Sequence, residues 1–356
     1  MRIVLTGGGT GGHVIPNLAV IEEVRNGNEL LYIGSKDGME KKMVENAPPV
    51  AGSSMGVRYE GVSCGKLRRY FSVENFVDAF RVPVGFFQAK SLLKKFEPDV
   101  VFSKGGYVSV PVVMAARWLK IPVIVHESDI SPGLANKICF KFAKKICVSF
   151  EETLAYLPKK FLKKAVYTGS PVRGEILKGD SEAGYRFTGF DKHRPVILVV
   201  GGSQGAAQIN ELVRASLDEL TKKFQIVHIV GKGNLDIGVN KRGYVQYEFL
   251  GRELADVYSI SEMVVTRGGA NVLAELALLK KKVLIIPLST EASRGDQEEN
   301  AHLFVRKFGW SMISGDISRE DFISNIDLTF NNELSYDNKY KNGLKSIVDI
   351  ILNYKK

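Results

Sequence analysis

Short apolar runs alternate with longer segments of helical spacing through the first half of the chain. The runs predict strands at residues 3–5, 30–33, 100–102, 123–126 and 145–148. Apolar positions three to four residues apart predict helices at 16–24, 82–96 and 110–118. Alternation of this kind predicts an α/β domain whose mainly parallel sheet is covered by helices on both faces.

The second half repeats the same pattern. It predicts strands at 196–200, 225–230, 263–266 and 283–287. The polar, proline-containing segment 168–173 is typical of a hinge between two domains. We therefore predict a first domain over 1–165 and a second over 166–335, followed by a tail, 336–356, whose helix could pack back on the first domain.

A glycine-rich turn follows the first strand of each half. The first turn reads Thr6-Gly7-Gly8-Gly9-Thr10-Gly11-Gly12-His13, and the second reads Gly201-Gly202-Ser203-Gln204-Gly205. Glycines let backbone N–H groups approach an anion, and the N-terminus of the following helix adds partial positive charge. Two such turns predict two nucleotide-type α/β domains.

Composition and charge narrow the function classes. The chain has 356 residues, 45% of them hydrophobic, and contains no apolar run near the roughly 20 residues that cross a bilayer. Its odd number of cysteines, three, argues against a disulfide framework and indicates a reducing cytoplasm.

The positive charge is concentrated in the first half of the chain. Residues 1–165 hold 24 Lys and Arg against 15 Asp and Glu, whereas the whole chain has a net charge of +10. Such a surface suits anionic lipid or an anionic substrate, or is merely a soluble basic face; no nucleic-acid-binding motif accompanies it, so no nucleic-acid partner is predicted.

The first glycine turn also matches a dinucleotide fingerprint, Gly7-x-Gly9-x-x-Gly12. That interpretation requires an acidic residue at the end of the second strand, and here the strand ends Tyr32-Ile33-Gly34-Ser35-Lys36, with no carboxylate until Asp37. We therefore predict no nicotinamide, flavin or other cofactor. His13, directly after the glycines, could accept a proton, bind an anion or simply cap its helix.

The second half carries a further candidate site. Arg267-Gly268-Gly269 follows a predicted strand, and Glu275 lies on the next helix, where its carboxylate could accept hydrogen bonds from two ribose hydroxyls. The polar run 296–300 follows the next strand, where open α/β sheets bind ligands, although ordinary helix capping also explains it.

Together these segments resemble the MurG family of bacterial N-acetylglucosamine transferases. The matching segments, from residue 4 to about 310, are Gly8-Gly9-Thr10-Gly11-Gly12-His13, Lys104-Gly105-Gly106-Tyr107, His126-Glu127, Gly133-Leu134-Ala135-Asn136, Gly169-Ser170-Pro171-Val172-Arg173, Gly201–Gly205, Arg267-x-Gly269-Ala270 with Glu275, and Asp296-Gln297-x-x-Asn300. The resemblance implies a GT-B fold, two Rossmann-like domains separated by a deep cleft. It also implies inverting transfer of N-acetylglucosamine from UDP-N-acetylglucosamine to the muramyl 4-hydroxyl of undecaprenyl-diphosphate muramyl-pentapeptide, a step of peptidoglycan synthesis.

The resemblance also implies the roles of individual residues. Glu275 would hold the ribose, Arg173 the diphosphate, and Gln297 the sugar hydroxyls. The other donor-binding residues would be Thr10, Gly11, Gly12, Asp129, Ser203, Gln204, Leu250, Ala270, Asn271, Val272, Leu273 and Ala274. The acceptor diphosphate would bind at Gly9, Thr10, Gly11, Gly12 and Tyr107. His13 is the first choice for the catalytic base, followed by Glu127 and Asp129.

The chain departs from the family pattern at one position. The family commonly has His-Glu-Gln-Asn where this chain has His126-Glu127-Ser128-Asp129. A carboxylate at Asp129 can accept hydrogen bonds from sugar hydroxyls but cannot donate to an acetamido carbonyl.

The chain also contains no Asp-x-Asp motif, so we predict a metal-independent reaction in which helix N-termini and Arg173 stabilise the leaving diphosphate.

A polyprenyl-linked acceptor implies work at a membrane. Segments 66–71 and 76–96 mix basic and large apolar residues, which is typical of an interfacial surface, although a helix facing the core would also explain them. The predicted membrane residues are Leu67, Arg68, Arg69, Phe71, Phe86 and Phe87. We expect a peripheral protein on the cytoplasmic face of the bacterial membrane, with an anionic lipid surface as a partner.

Three other functions stay open from the sequence. A UDP-sugar 2-epimerase would share the donor pocket, and a glycosyltransferase with a diacylglycerol acceptor would share the membrane surface as well. A non-catalytic nucleotide-sugar binding protein would have no need of His13 or Glu127.

Overall fold

The structure is a computed structural model that describes residues 1–45, 57–65, 73–202, 205–288, 295–334 and 340–354, with the side chains of 73–80 left out. The chain divides into two compact units. The first comprises Met1–Val172 and Lys341–Lys356, and the second comprises Arg173–Tyr340.

The described part of the first unit forms a seven-stranded parallel sheet in the order β3-β2-β1-β4-β5-β6-β7. Its strands are β1 (Arg2–Thr6), β2 (Glu29–Ser35), β3 (Arg58–Val62), β4 (Val100–Ser103), β5 (Val123–Glu127), β6 (Lys145–Val148) and β7 (Ala165–Tyr167). The helices between them are α1 (Gly11–Val24), α2 (Met39–Glu45), α3 (Val73–Phe96), α4 (Ser109–Trp118), α5 (Leu134–Cys139) and α6 (Lys159–Leu162), with a 3-10 helix at Glu151–Tyr156.

The described part of the second unit forms a six-stranded parallel sheet in the order β10-β9-β8-β11-β12-β13. Its strands are β8 (Val196–Val200), β9 (Gln225–Ile229), β10 (Tyr244–Tyr247), β11 (Ser261–Thr266), β12 (Lys282–Ile285) and β13 (Ser311–Met312). A 3-10 helix at Gly174–Leu177 precedes its helices, which are α7 (Ser181–Thr188), α8 (Ala207–Ala215), α9 (Leu217–Lys223), α10 (Glu253–Ile260), α11 (Ala270–Leu278), α12 (Asp296–Phe308) and α13 (Arg319–Asn331).

Each sheet changes direction of strand order beside its first strand. β1 pairs with β2 on one side and with β4 on the other, and β8 pairs in the same way with β9 and β11. The loops that follow the two strands at such a switch point diverge, which leaves a crevice at the carboxyl edge of the sheet. Both glycine-rich turns begin at this crevice, one after β1 and one after β8.

Continuous apolar strands explain why the sheets are buried on both faces. β4 and β5 are buried along their full lengths, and β8 is buried up to its last residue. Strands covered by helices on both sides need apolar residues at successive positions, since neither face meets water. The predicted parallel, doubly covered sheets are confirmed.

The last helix of the chain, α14 (Leu344–Leu352), packs on the first unit. Leu344, Ile347, Val348 and Ile351 are buried in a cluster with the apolar residues of α1. The chain returns beside the segment where it left: Gly343 N–H donates to Ser170 O at 2.7 Å, and Asn342 bonds both the N–H and the carbonyl of Val172.

Sequence reasoning missed four strands and placed the starts of two helices too late; α3 begins at Val73 rather than at residue 82. β3, β7, β10 and β13 are short and carry mainly half-exposed residues, because they lie at or next to the edges of their sheets. α1 begins at Gly11 rather than at residue 16, because the glycines and His13 themselves form its first turn.

Candidate active site

Two glycine-containing loops interlock at the switch point of the first sheet. Gly106, after β4, has φ +79°, and a Cβ added to it would lie 2.2 Å from the carbonyl oxygen of Gly8. Gly9 has φ +87°, and a Cβ there would lie 2.6 Å from the ring of Tyr107. Only glycine fits both positions, since each combines a left-handed backbone with contact against the other loop. The structure therefore brings the predicted Gly9 and Tyr107 together.

His13 lies in the first turn of α1, directly after this loop. Its Nδ1 is 2.9 Å from Oγ1 of Thr10, and its backbone N–H donates to the Thr10 carbonyl at 3.1 Å. The imidazole is half-buried and Thr10 is exposed. In the tautomer in which Nδ1–H donates to Thr10 Oγ1, Nε2 carries the lone pair and can accept a proton.

A polar layer beneath the glycine loop was missed by sequence reasoning. Glu40 is fully buried and accepts hydrogen bonds from Ser35 N–H at 2.9 Å and from Gly9 N–H at 3.4 Å. Tyr32, also buried, donates to the carbonyl of Gly7 at 2.7 Å, and Asn17 donates to the Tyr32 hydroxyl. These side chains fix the loop from below. The glycine-rich spacing gave no signal for them, because they come from other elements.

Glu127, at the end of β5, holds the loop that follows it. Its carboxylate accepts from Asp129 N–H at 3.0 Å, Gly133 N–H at 3.1 Å and Asn136 Nδ2 at 2.9 Å. The side chain is buried and Asp129 is half-buried. Three donors on one carboxylate make it a strong loop anchor. This geometry favours His13 over Glu127 as the base.

Lys104 is a second buried charge at the same edge. Its side chain is 1% exposed, and its ammonium donates to Ser128 Oγ. Burial lowers the pKa of Lys104 to about 8, against the raising effect of the carboxylates of Glu127 and Asp129.

In the second unit, the described glycines of the turn after β8 have left-handed backbone. Gly202 and Gly205 have φ +93° and +77°, and Gly205 N–H donates to the Gly202 carbonyl at 2.9 Å. The turn leads directly into α8. The predicted donor residues Ser203 and Gln204 lie outside the described residues.

Glu275 forms a polar cluster with Tyr258 and Arg173. Tyr258 is 1% exposed, and its hydroxyl hydrogen-bonds the Glu275 carboxyl. Burial raises the pKa of Glu275 to about 7, although Arg173 and the Tyr258 hydroxyl both act to lower it. Glu275 stays partly accessible, so a ligand can reach it. Tyr258 was missed by sequence reasoning, since a tyrosine within an apolar helix gives no sign of which carboxyl it meets.

Most of the predicted donor-binding residues at the start of α11 have buried side chains. Ala270, Leu273 and Ala274 are buried, as is Leu250, whereas Asn271 and Val272 are half-buried. The buried members can contact a ligand through their backbone groups alone. The N-terminus of α11 follows Arg267, whose Nε has no hydrogen-bond partner among the described residues. Arg173 Nε is equally unpartnered within that set.

Gln297 connects α12 to the loop before α11. Its Oε1 accepts from Leu288 N–H at 3.2 Å, and a Cβ added to Gly268 would lie 2.2 Å from the Gln297 carbonyl. Asn300 Nδ2 donates to the Gly268 carbonyl at 3.2 Å. Gln297 therefore lies next to the α11 N-terminus, and the polar run at 296–300 does more than cap its helix.

Aromatic side chains form an exposed patch on α3 and α4. Phe87 is 65% exposed and Trp118 is 67% exposed, and Phe86 packs edge-on against both rings. These rings line a groove of about 680 Å³ together with Arg117 and Lys120. Of the predicted membrane residues, Phe86 also packs on the core, and Leu67, Arg68, Arg69 and Phe71 lie outside the described residues.

Neither a membrane span nor a metal cluster occurs in the described part of the chain. No helix there is long and apolar enough to cross a bilayer. No group of three or more His, Cys, Asp or Glu side chains there is arranged to hold a metal ion. Metal independence stays a prediction.

Comparison with known proteins covers both units. Residues 3–148 match the glycosyltransferase family 28 N-terminal domain, and residues 196–353 match the glycosyltransferase family 28 C-terminal domain. The chain is 48% identical over 346 residues to a Lachnoclostridium phytofermentans protein named UDP-N-acetylglucosamine--N-acetylmuramyl-(pentapeptide) pyrophosphoryl-undecaprenol N-acetylglucosamine transferase, covering 96% of this chain and 94% of that protein.

Solved structures share the fold. MurG of Acinetobacter baumannii superposes with a TM-score of 0.72 at 22% identity, covering 99% of both chains. A UDP-GlcNAc 2-epimerase from Neisseria meningitidis, bound to UDP-GlcNAc, superposes with a TM-score of 0.69 at 15% identity, covering 99% of this chain and all of that one. At these identities the likeness shows the fold alone.

Two parallel α/β units with family 28 domains define the class: this is a glycosyltransferase with a GT-B fold. Within that class, the chain belongs to the MurG family of N-acetylglucosamine transferases. The resemblance inferred from the ordered motifs is confirmed.

Proposed function

We propose that the protein transfers N-acetylglucosamine from UDP-N-acetylglucosamine to the 4-hydroxyl of the muramyl sugar of undecaprenyl-diphosphate muramyl-pentapeptide. The observation that carries the proposal is 48% identity, across both units, to a relative named for this reaction. An epimerase shares only the fold, at 15% identity.

The second unit is the proposed donor site. The Glu275 carboxylate accepts hydrogen bonds from the ribose hydroxyls, with Tyr258 and Arg173 holding it in place. The N-terminus of α11 and the guanidinium groups of the half-buried Arg173 and Arg267 offer donors to the diphosphate. Gln297, beside that helix start, reads the sugar hydroxyls.

The edge of the first sheet is the proposed acceptor site. Gly9, Thr10, Gly11, Gly12 and Tyr107 surround the N-terminus of α1, which favours a diphosphate. Asp129 lies on the neighbouring loop and takes a hydrogen bond from a sugar hydroxyl. Its half-buried position at the end of β5 supports that role.

The proposed chemistry is a single inverting displacement. The muramyl 4-oxygen forms a bond to the anomeric carbon while the bond from that carbon to the UDP oxygen breaks. The hydroxyl proton passes to Nε2 of His13, whose other nitrogen is held by Thr10. The negative charge that develops on UDP is stabilised by helix N-termini and Arg173, and each such preorganised donor contributes roughly 3–4 kcal/mol.

The aromatic patch of Phe86, Phe87 and Trp118 is the proposed contact with the cytoplasmic face of the membrane. Aromatic rings favour the headgroup region, and the ammonium of Lys90 lies 5.0 Å from the Trp118 ring centre. Arg117 and Lys120, which also line the groove, suit anionic headgroups. A surface of this kind gives the enzyme access to a lipid-linked acceptor.

Radiolabelled UDP-N-acetylglucosamine with a short-chain lipid-diphosphate muramyl-pentapeptide, assayed in EDTA, tests the proposal. We expect label in the lipid product, and turnover unchanged by the chelator. Transfer of label to diacylglycerol would show that the proposed acceptor is wrong. Conversion of the donor to its 2-epimer would show that the proposed reaction class is wrong. Activity lost in EDTA and restored by Mg²⁺ would overturn the metal-free chemistry alone.

A further inference from the structure

Glu40 is a buried carboxylate that joins the end of β2 to the glycine loop after β1. It lies in the first turn of α2 and is fully buried. One of its oxygens, Oε1, accepts from the backbone N–H of Ser35 at 2.9 Å and also from the Ser35 hydroxyl. The other oxygen, Oε2, accepts from the N–H of Gly9 at 3.4 Å. The carboxylate therefore bonds two segments at the carboxyl ends of neighbouring strands.

Three glycines leave the room that this carboxyl group occupies. The three atoms nearest to a Cβ added at Gly8 all belong to the Glu40 carboxyl, with Cδ and Oε1 both at 2.7 Å. A Cβ at Gly38 would lie 2.3 Å from Oε1, and one at Gly34 would lie 2.9 Å from the Glu40 Cγ. The loop, β2 and the turn before α2 thus close around one side chain, which fixes its position.

The hydrogen bonds at this position require a carboxylate. Both oxygens face a backbone N–H, so both must act as acceptors. A glutamine has a single carbonyl oxygen, and its –NH2 group would face the other N–H, donor against donor. A buried N–H that loses its acceptor is unfavourable, so an amide would release one of the two segments. Because the contact to Ser35 is the shorter one, the segment released would be the glycine loop.

The loop held in this way has little stiffness of its own. Five of the six residues 7–12 are glycine, and glycine loses more conformational freedom on ordering than any other residue. A loop without an anchor would have to be ordered each time a ligand binds, which lowers the affinity. A loop that Glu40 already fixes binds its ligand without that loss of entropy.

We propose that Glu40 is a positioning residue of the proposed acceptor site: its carboxylate, bonded to Ser35 and Gly9, holds the glycine loop in the geometry that receives the acceptor diphosphate. Because Glu40 is fully buried, it acts through Gly8 and Gly9 and not by contact with the substrate. This inference rests on the proposed function, because that function assigns the acceptor diphosphate to this loop.

Glu40→Gln tests the proposal, since the amide keeps the size of the side chain and loses one acceptor. We expect the KM for the lipid acceptor to rise about tenfold, because the acceptor must then order the loop as it binds. The kcat should stay within about threefold, since saturating acceptor restores the loop. The affinity for UDP, whose proposed site is in the second unit, should stay within about twofold.

Gly8→Ala is an independent test that keeps the carboxyl group in the chain. The added methyl group would displace the Glu40 carboxyl, so we expect the acceptor KM to rise about tenfold in the wild-type background. In a Glu40→Ala background the methyl group has room, and the same change should raise the acceptor KM by less than about threefold.

Tyr59→Phe is the matched control in the same polar layer. The Tyr59 hydroxyl donates to the carbonyl of Ser35 at 2.5 Å, and its ring stacks on Tyr32 with 5.9 Å between ring centres. Phenylalanine keeps the stacked ring, removes one hydrogen bond and leaves both oxygens of Glu40 with their donors. We expect it to lower the melting temperature without changing the acceptor KM.

Three results would overturn the proposal: an unchanged acceptor KM in Glu40→Gln, an equal rise in Tyr59→Phe, or an equal effect of Gly8→Ala in both backgrounds. If the Glu40 variants fail to fold, Gly8→Ala alone decides. A raised acceptor KM with unchanged UDP affinity supports the proposal, whereas an unchanged KM or a failure to fold overturns it.

Absence of transfer by the wild-type enzyme would instead reject the proposed function. The contact between Glu40 and the loop would then be tested by hydrogen exchange of the Gly9 amide. Exchange should be faster in Glu40→Gln than in the wild type and unchanged in Tyr59→Phe, and an unchanged rate in Glu40→Gln would overturn the positioning role itself.

Discussion

Glu275, the proposed ribose-binding residue, is at a position where its charge works against the stability of its own unit. Burial raises its pKa to about 7, so the folded protein holds a proton that the unfolded chain, with an ordinary pKa near 4.5, has already released. The contribution of this group to stability is therefore complete below about pH 4.5 and is lost as the pH rises through 7. The charge that the proposed ribose binding needs is the charge that folding disfavours.

Glu275→Gln should remove this pH dependence, because the amide carries no charge to bury. Between pH 4 and pH 8 we expect the free energy of unfolding of the variant to rise by on the order of 2 kcal/mol relative to that of the wild type. Denaturant unfolding at the two pH values measures it. A stability difference that does not change with pH would contradict the raised pKa.

The same residue predicts a pH dependence of donor binding. Between pH 8 and pH 6 we expect the affinity for UDP-N-acetylglucosamine to fall about tenfold, because Glu275 gains a proton and loses its capacity to accept two hydroxyl bonds. Calorimetry on the wild type and two variants tests this. Glu275→Gln should bind weakly at both pH values, and Tyr258→Phe, which removes a pKa-lowering hydroxyl, should shift the midpoint upward. If the pH midpoint of binding were the same in Tyr258→Phe and the wild type, the Tyr258 hydroxyl would have no influence on the pKa of Glu275.

At the scale of elements, α3 and α4 present to solvent aromatic rings that a packed core would enclose. Phe86 is anchored in the core and supports Phe87 and Trp118, so the exposed rings are held rather than free to collapse inward. Exposed apolar rings with basic residues in the same groove are suited to a lipid interface, where burial of the rings and attraction of the cations act together.

Phe87→Ala with Trp118→Ala should weaken binding to vesicles that contain anionic phospholipid by at least about tenfold, because both exposed rings are removed. Vesicle sedimentation at two salt concentrations measures the apolar and ionic contributions. Phe249→Ala, a similarly exposed phenylalanine of the second unit, is the matched control and should bind as the wild type does. If the Phe249→Ala variant lost as much vesicle binding as the Phe87→Ala/Trp118→Ala variant, the effect would come from general surface hydrophobicity and not from this patch.

At the scale of the whole chain, the polypeptide leaves the first unit after Val172 and returns to it at Lys341. The returning helix α14 completes the apolar cover of α1, and Ile347 is fully buried there. The second unit is thus an insertion whose two ends meet at one place, where Asn342 bonds Val172. The stability of the first unit should therefore depend on residues from the far end of the chain.

Ile347→Ala should destabilise the first unit by about 2–5 kcal/mol, the usual cost of such a cavity. We expect it to lower the unfolding transition that UDP does not stabilise, and to leave UDP affinity unchanged. Ile326→Ala removes the same atoms from a buried site in the second unit and should lower the UDP-linked transition. If Ile347→Ala instead lowered the transition that UDP stabilises, α14 would unfold with the second unit.

The sequence by itself determined the local features. Short apolar runs that alternate with segments of helical spacing predicted buried parallel strands, and the order of the motifs identified the family. Only the tertiary structure decided which distant side chains meet. Glu40 under Gly9, Tyr258 on Glu275 and Lys104 on Ser128 each join separate elements. Such contacts depend on strand order and loop packing, and a local pattern of apolar and polar residues carries no information about either.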